Sequence, residues 1–142
     1  MNSLNAHKST PNTQADMSQT IERTALAQLV NNEQYTRKVL LFMKGDYFSD
    51  KTERTVFEEI TKFVDKYNKI PTQTSLEIEV SGRKDLNEEE FKKVVAVIKT
   101  LESTDVDFEW LVNTTEQFCK DKAVYNAIVE GISIIDGKDK QR

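Results

Sequence analysis

The residue types best suited to catalysis or metal binding are scarce in this chain. His7 is the single histidine and Cys119 the single cysteine. One cysteine excludes an internal disulfide and a cysteine-based zinc site. His7 lies in a polar N-terminal stretch, and Cys119 lies beside Phe118 in a helical pattern, so we interpret the cysteine as a small core hydrophobe. The sequence therefore predicts no catalytic residue and no metal site.

One glycine-containing segment invites comparison with a phosphate-binding loop. It begins at Gly131 and continues through Gly137 and Lys138 to Asp139. A phosphate loop has four residues between its glycines, a Ser or Thr after the lysine and a strand before it. Here five residues separate the glycines, Asp139 occupies the hydroxyl position and the surrounding pattern is helical. We therefore predict that the chain itself binds no nucleotide and no other cofactor.

Charged residues form two kinds of local cluster. The carboxylates at 58–59 and 88–90 are adjacent along predicted helices. Adjacent helical residues point in different directions, so these carboxylates do not share a site. The basic residues that could contact phosphate have no interleaved aromatic platform, and we interpret them as solubilising charge; they are Arg83, Lys84, Lys92, Lys93 and Lys99.

Composition narrows the class of protein further. The chain has 142 residues, with 20 Lys and Arg against 24 Asp and Glu, for a net charge of -4. Generic nucleic-acid binders are usually basic, because phosphate neutralisation supplies most of their affinity. No apolar run is long enough to span a membrane, and the first twenty residues lack the apolar segment of a secretory signal. A cytoplasmic protein of one domain is the expectation.

The apolar pattern divides the chain into four segments. Residues 1–18 are a polar lead that we predict to be disordered, since they cannot offset the entropy of ordering. Residues 19–104 are predicted to form a helical head, and residues 105–136 a long helix for hairpin or oligomer contact. Residues 137–142 are predicted to start a linker. The fold class is therefore all-α, with a head of about five helices followed by one long C-terminal helix.

Apolar residues at helical spacing define the helices of the head. The predicted helices are Gln19–Asn31, Glu33–Met43, a third ending near Asn68, Gln73–Val80 and a fifth after Asn87. Gly45 is available for a left-handed cap after the second helix. Asp50 and Glu53 have the spacing of a capping box, which starts the third. The residues from Leu76 to Val80 also alternate as in a strand, but helix is favoured. The predicted head core consists of Leu26, Leu29, Tyr47, Phe48, Phe57, Ile60, Phe63 and Leu76.

The long C-terminal helix carries more apolar surface than a free helix tolerates. Its apolar stripe requires a cover, either from the head or from another chain. This pattern is more typical of an assembly module than of a self-contained enzyme. The predicted oligomer or partner interface consists of Phe118, Tyr125, Ile128, Val129, Ile132 and Ile135.

Several short motifs, in order, resemble the N-terminal domain of DnaB-like replicative helicases. A Tyr47-Phe48 pair precedes a helix with Arg54, Phe57 and Ile60 at i, i+3 and i+6. A loop ending in Pro71-Thr72 then leads to a short helix bearing Leu76, and Phe108-Glu-Trp110 opens the long helix. The order and spacing of these motifs are most similar to those in the T-even-type phage branch of the family. The resemblance covers about Thr20 to Ile135.

This resemblance implies a role in DNA replication. In that family the N-terminal domain is a helical head followed by a helical hairpin, and these domains form a collar on a hexameric ring. The resemblance implies self-association as a dimer or within the hexamer, with a primase and possibly a helicase loader as partners. It implies weak or no DNA contact by this domain. ATP and Mg are expected only in the motor domain, which is absent from this sequence, so the parent protein is expected to be the ATP-dependent 5'-3' helicase.

The residues leave a second hypothesis open. The lysines around Lys92, Lys93 and Lys99 allow a free-standing small helical protein that binds nucleic acid or acts as a regulator. Salt-dependent binding to short DNA distinguishes this hypothesis from the collar hypothesis. An enzymatic function has no support in the residues of this chain.

Overall fold

The computed structural model describes residues 14–140, with side chains for residue 17 and residues 19–135. The fold is all-α, as predicted, and the described residues contain no strand. The helices are α1 (Gln14–Leu29), α2 (Glu33–Val39), α3 (Lys51–Tyr67), α4 (Gln73–Ser81), α5 (Glu88–Lys99) and α6 (Phe108–Lys140), with a 3-10 turn at Gly45–Tyr47 before α3.

Side-chain caps fix where the short helices begin. The side-chain oxygen of Asn32 accepts a hydrogen bond from the Tyr35 amide at the start of α2. Reciprocal capping boxes start α4 and α5; in the second, Asn87 and Glu90 each accept a hydrogen bond from the other's amide. These caps satisfy amide groups that have no partner within the helix. The segment from Leu76 to Val80, whose alternation also allowed a strand, is therefore part of helix α4.

Several predicted boundaries shift in the structure. Helix α1 begins at Gln14 rather than Gln19, while residues 1–13 of the predicted lead lie outside the described residues. Helix α2 ends at Val39 rather than Met43. Gly45 was predicted as a left-handed cap, but it begins the 3-10 turn without a positive φ. The C-cap of α2 is Leu40, in a right-handed conformation, and the left-handed cap is found at Asn68, which ends α3 with φ of 56°. Asn tolerates this conformation because its short polar side chain bonds locally.

The core of the head surrounds α3. This helix packs against α1, α4, α5 and the 3-10 turn. Seven of the eight predicted core residues are buried, and the rings of Phe48 and Phe57 pack with centroids 5.0 Å apart. Aromatic contacts of this kind add to the free energy gained from apolar burial. The seven buried residues are Leu26, Leu29, Tyr47, Phe48, Phe57, Ile60 and Leu76.

Two predictions about α3 are wrong. Phe63 is only partly buried and lies outside the core, packed against the Tyr67 ring at a centroid distance of 4.7 Å. Phe63 lines an open groove with Lys62, Lys66 and Glu79 of α4, so at this turn the apolar row faces charged side chains and not the core. Glu53 does not reach back to the cap amide, although Asp50 caps the helix as predicted. Its carboxylate is fully buried and accepts a hydrogen bond from Arg23 Nε at 2.7 Å.

None of the helices in the described part of the chain has the length and apolar character needed to cross a membrane.

Candidate self-association surface on helix α6

The first half of α6 is fixed to the head. Leu111, Val112 and Cys119 are buried against it, and the helix contacts α1, α2 and the 3-10 turn. A buried hydrogen bond of 2.7 Å joins the Tyr35 hydroxyl of α2 to the Thr115 hydroxyl of α6. Burial raises the pKa of the Tyr35 phenol above its ordinary value, so the phenol stays neutral and able to donate. This contact fixes the rotation of α6 about its own axis.

The row of α6 that faces the head turns polar after Cys119. Successive positions at helical spacing are Lys122 and Asn126, which are half-buried, and then Glu130 and Ser133, which are exposed. The Asn126 amide donates a hydrogen bond of 3.2 Å to the Asp46 carbonyl of the 3-10 turn. Because the head-facing row of α6 is polar from Lys122 onward, it presents no apolar side chains for the head to bury. The helix therefore leaves the head with its apolar residues on a different face.

Beyond the head, the apolar residues of α6 follow a coiled-coil spacing. Tyr125, Ile128, Ile132 and Ile135 are separated by three, four and three residues, which is the a/d spacing of a heptad repeat. Val124 and Val129 flank this seam at the adjacent g and e positions. We call these six residues the α6 stripe. An a/d seam with apolar flanks is the surface that a helix buries against another helix.

The α6 stripe is open to solvent in the single chain. Its six side chains are between 44% and 62% exposed, whereas Phe57 in the core is 3% exposed. Six large apolar side chains exposed on one helix form a contiguous patch of the kind that marks interaction sites. Five of them were predicted from the sequence as interface residues. Val124 was not included, although its position beside the heptad seam is visible in the sequence.

Phe118 was predicted as an interface residue, but the structure places it mainly in the core. Its side chain is 8% exposed and belongs to the apolar cluster of the head. Phe118, Tyr125 and Ile132 are spaced by seven residues, so the sequence shows one continuous row. The head covers Phe118 but not Tyr125 or Ile132, because the apolar packing of α6 against the head ends at Cys119.

An open groove of about 910 Å³ lies at the root of the α6 stripe, between α1 and α6. Met17 and Ile21 of α1 form one wall, and Phe118, Lys122 and Tyr125 of α6 form the other. The Lys122 ammonium lies 5.9 Å from the ring centroids of both Phe118 and Tyr125. Cation–π attraction of this kind holds the lysine along the helix. The groove is thus continuous with the exposed stripe.

The remaining charged clusters do not converge on a catalytic site. Arg83 bonds Asp85 and lies 3.0 Å from Glu59 and 3.5 Å from Glu58, so it ties α3 to the loop after α4. This pairing lowers the pKa of the exposed Asp85 carboxyl to about 2. Lys99 pairs with Glu77 at 3.5 Å, while Lys92 and Lys93 are exposed on α5. Arg83 and Lys99 therefore form ion pairs, and Lys92 and Lys93 are solvent-exposed charges.

The structure also bears on the glycine-containing segment and on metal binding. Helix α6 continues through Gly131 to Lys140, so this segment does not form a phosphate-binding loop. Among the described residues, no three side chains of the metal-binding types are grouped to hold an ion. The arrangement that stands out chemically is an exposed apolar helix face on a packed all-α head.

Comparison with known proteins shows a distant sequence similarity. No protein-family model matches the chain. The chain is 28% identical over 109 residues to the DnaB-like replicative helicase of Enterobacteria phage T4. The match covers 77% of this chain and 23% of the length of that helicase. This distant similarity supports a relationship to DnaB-like replicative helicases.

Proposed function

We propose that this chain is the N-terminal collar domain of a phage DnaB-like replicative helicase. In this proposal the head docks the primase or a loader, and α6 mediates assembly of the subunits. The ATP-driven 5'-3' unwinding motor lies in another part of the helicase. The similarity to the phage helicase, which spans 23% of that protein, supports a domain-sized relationship. The observation that carries the assembly role is the heptad-spaced α6 stripe, open to solvent on a helix that leaves the head.

The stripe supports self-association through its chemistry. Five of its six residues are Ile or Val, and three of these are at the a/d positions of the seam, where beta-branched side chains pack well. The stripe residues carry no charge, so burying the stripe leaves no unpaired ion behind. Burial of each large side chain contributes about 1.5–3 kcal/mol, before the entropy of association is subtracted.

Substitution of one stripe residue tests the assembly role. Ile132→Asp places a charge at the centre of the seam, and Ile134→Asp is the matched control. Ile132 is 55% exposed and Ile134 is 56% exposed, but Ile134 lies off the stripe. Light scattering after size exclusion, over a concentration series, gives the solution mass. We expect the wild type and Ile134→Asp to associate and Ile132→Asp to stay monomeric, with equal melting temperatures for all three at concentrations where each is a monomer.

Two results would contradict the assembly role. One is a strict monomer for the wild type at every concentration. The other is loss of folding in Ile132→Asp but not in Ile134→Asp, since that result makes the stripe part of the core. Docking of a primase needs a separate test, by calorimetric titration of this chain with the primase encoded by the same genome. Absence of heat and of a mass change there would reject the docking role.

A further inference from the structure

Two carboxyl groups are completely buried at the contact between α1 and α3. Glu22 of α1 and Glu53 of α3 each have no exposed surface. Glu22 Oε2 accepts a hydrogen bond of 2.9 Å from the Ser49 hydroxyl, and Glu53 Oε2 accepts one of 2.7 Å from Arg23 Nε. The second oxygen of each, Oε1, is buried and has no hydrogen-bond donor. A buried acceptor without a donor costs about 1–3 kcal/mol, and more if charged.

The charges around the pair are too few to balance two ionised carboxylates. Arg23 is the cation bonded to the pair, and its guanidinium also donates to the Thr100 hydroxyl at 3.2 Å. Asp50 at the start of α3 adds a further negative charge, and Lys51 is paired with Glu90 of α5. On the α6 side, Asp121 and Lys122 line the groove together with Ser49 and carry opposite charges. Arg54 of α3 donates to the Phe48 carbonyl at 3.0 Å, and its Nε is buried without an acceptor. Among the described residues, Arg23 is thus the one guanidinium hydrogen-bonded to the two buried acids.

We propose that Glu22 and Glu53 form a proton-binding site, in which one proton shared between the two carboxyls joins α1 to α3 and its loss loosens that contact. A single proton on one carboxyl donates to the free oxygen of the other and satisfies both orphaned atoms. Glu53 bonds Arg23, the residue after Glu22 in α1, and Glu22 bonds Ser49, just before the cap of α3, so both carboxyls are buried in the same α1–α3 contact. The proton belongs to the pair, because strongly interacting acids titrate together. The inference does not depend on the proposed role in replication.

The direction of the pH effect follows from proton linkage. Burial, and then the neighbouring Glu22 carboxyl, raise the pKa of Glu53 above its ordinary value of 4.5, against the lowering effect of Arg23. The folded chain therefore binds more protons than the unfolded chain above that value. The stabilising contribution is complete below the unfolded pKa and is lost as pH rises through the folded pKa. In that window the unfolding equilibrium constant rises by up to about tenfold per pH unit.

The substitution Glu22→Gln separates the proton from the packing. A glutamine carbonyl still accepts from Ser49, and its amide donates to the free oxygen of Glu53, which remains ionised and bonded to Arg23. Denaturant unfolding at a series of pH values from 5 to 9 gives the unfolding equilibrium constant of each variant. We expect Glu22→Gln to lose the pair's contribution to the pH dependence and to be at least as stable as the wild type at high pH. The exposed Glu89→Gln is the matched control and should keep the wild-type dependence.

A direct measurement keeps the inference testable if a variant folds poorly. Carboxyl carbon-13 chemical shifts of the wild-type chain, followed across the same pH range, report the protonation of Glu22 and Glu53. One proton retained by the pair well above the ordinary glutamate pKa is the expected result. Two carboxyls that both ionise at ordinary values would overturn the inference. So would a wild-type pH dependence that Glu22→Gln leaves unchanged.

Discussion

The two halves of α6 are one continuous helix with very different surroundings. In residues 108–122 the apolar side chains other than Trp110 face the head, and Leu111 and Cys119 are each 4% exposed. In residues 123–135 the apolar side chains face away, and Ile128 is 57% exposed. Both halves are rich in large apolar residues. The apolar rows of the two halves point in different directions relative to the head. The direction of the row, and not the number of apolar residues, therefore distinguishes the core face from the interaction face.

The largest expected difference between the halves is in thiol reactivity. Burial raises the pKa of the Cys119 thiol to about 12, so near neutral pH its ionised fraction is about a thousandfold below that of an ordinary thiol. We expect Ala127→Cys, on the exposed half, to react with a thiol reagent in a fast phase, and Cys119 to react at least about a thousandfold more slowly. Absorbance at a series of times measures both phases. Equal rates would mean that the first half of α6 opens readily.

Truncation of one large side chain in each half tests the energetic difference. We expect Leu111→Ala to lower the free energy of unfolding by about 2–5 kcal/mol, because it leaves a cavity in the core. Ile128→Ala should change it by no more than about 0.5 kcal/mol in the monomer. Chemical denaturation at low protein concentration measures both. A comparable loss in Ile128→Ala would place the second half of α6 against the head.

The Tyr35–Thr115 hydrogen bond should make a smaller contribution on the buried half. Tyr35→Phe removes one hydroxyl and leaves the Thr115 hydroxyl buried without its partner, so we expect a loss of about 1–2 kcal/mol. Replacing both partners, with Thr115→Val added, should restore part of that loss. The double-mutant cycle of unfolding free energies isolates the pair. Additive effects of the two substitutions would show that the hydroxyls act independently.

The smallest effect is expected where the two halves meet. Asn126→Ala removes the bond to the Asp46 carbonyl, which is exposed and 3.2 Å long, so the unfolding free energy should fall by only a few tenths of a kcal/mol. Amide hydrogen exchange should nevertheless speed up locally in residues 123–130, since local opening has its own free energy. An increase that spreads to the amides around Leu111 would mean that Asn126 supports the whole helix.

Sequence periodicity predicts most of the helices because each short helix carries its own signals. Asn87 marks the start of α5 in the sequence, and in the structure Glu90 completes a reciprocal capping box with it that was not predicted. The start of helix α1 at Gln14 was not predicted, because the residues around Gln14 show neither an apolar period nor a cap signal. The left-handed residue Asn68 was passed over because asparagine adopts that conformation only where the surrounding chain requires it.

The candidate site was predicted in part, and the errors have a common physical cause. The heptad row through Phe118, Tyr125 and Ile132 is uniform in sequence, so the sequence does not show where the head stops covering it. The docking of α2 against α6 decides that limit, and it is a tertiary contact. The buried acids Glu22 and Glu53 are invisible for the same reason, because their burial depends on how α1 and α3 pack.

Helix α6 has a mechanical consequence. It contains 33 residues, and at about 1.5 Å per residue it is about 50 Å long. Among the described residues, Asn126 makes the last hydrogen bond from α6 to the head, and about 20 Å of helix follows it. A tilt of about ten degrees at this pivot moves the far end of the helix by about 3.5 Å. The projecting helix is a lever, and small rearrangements between α2 and the 3-10 turn are magnified along it.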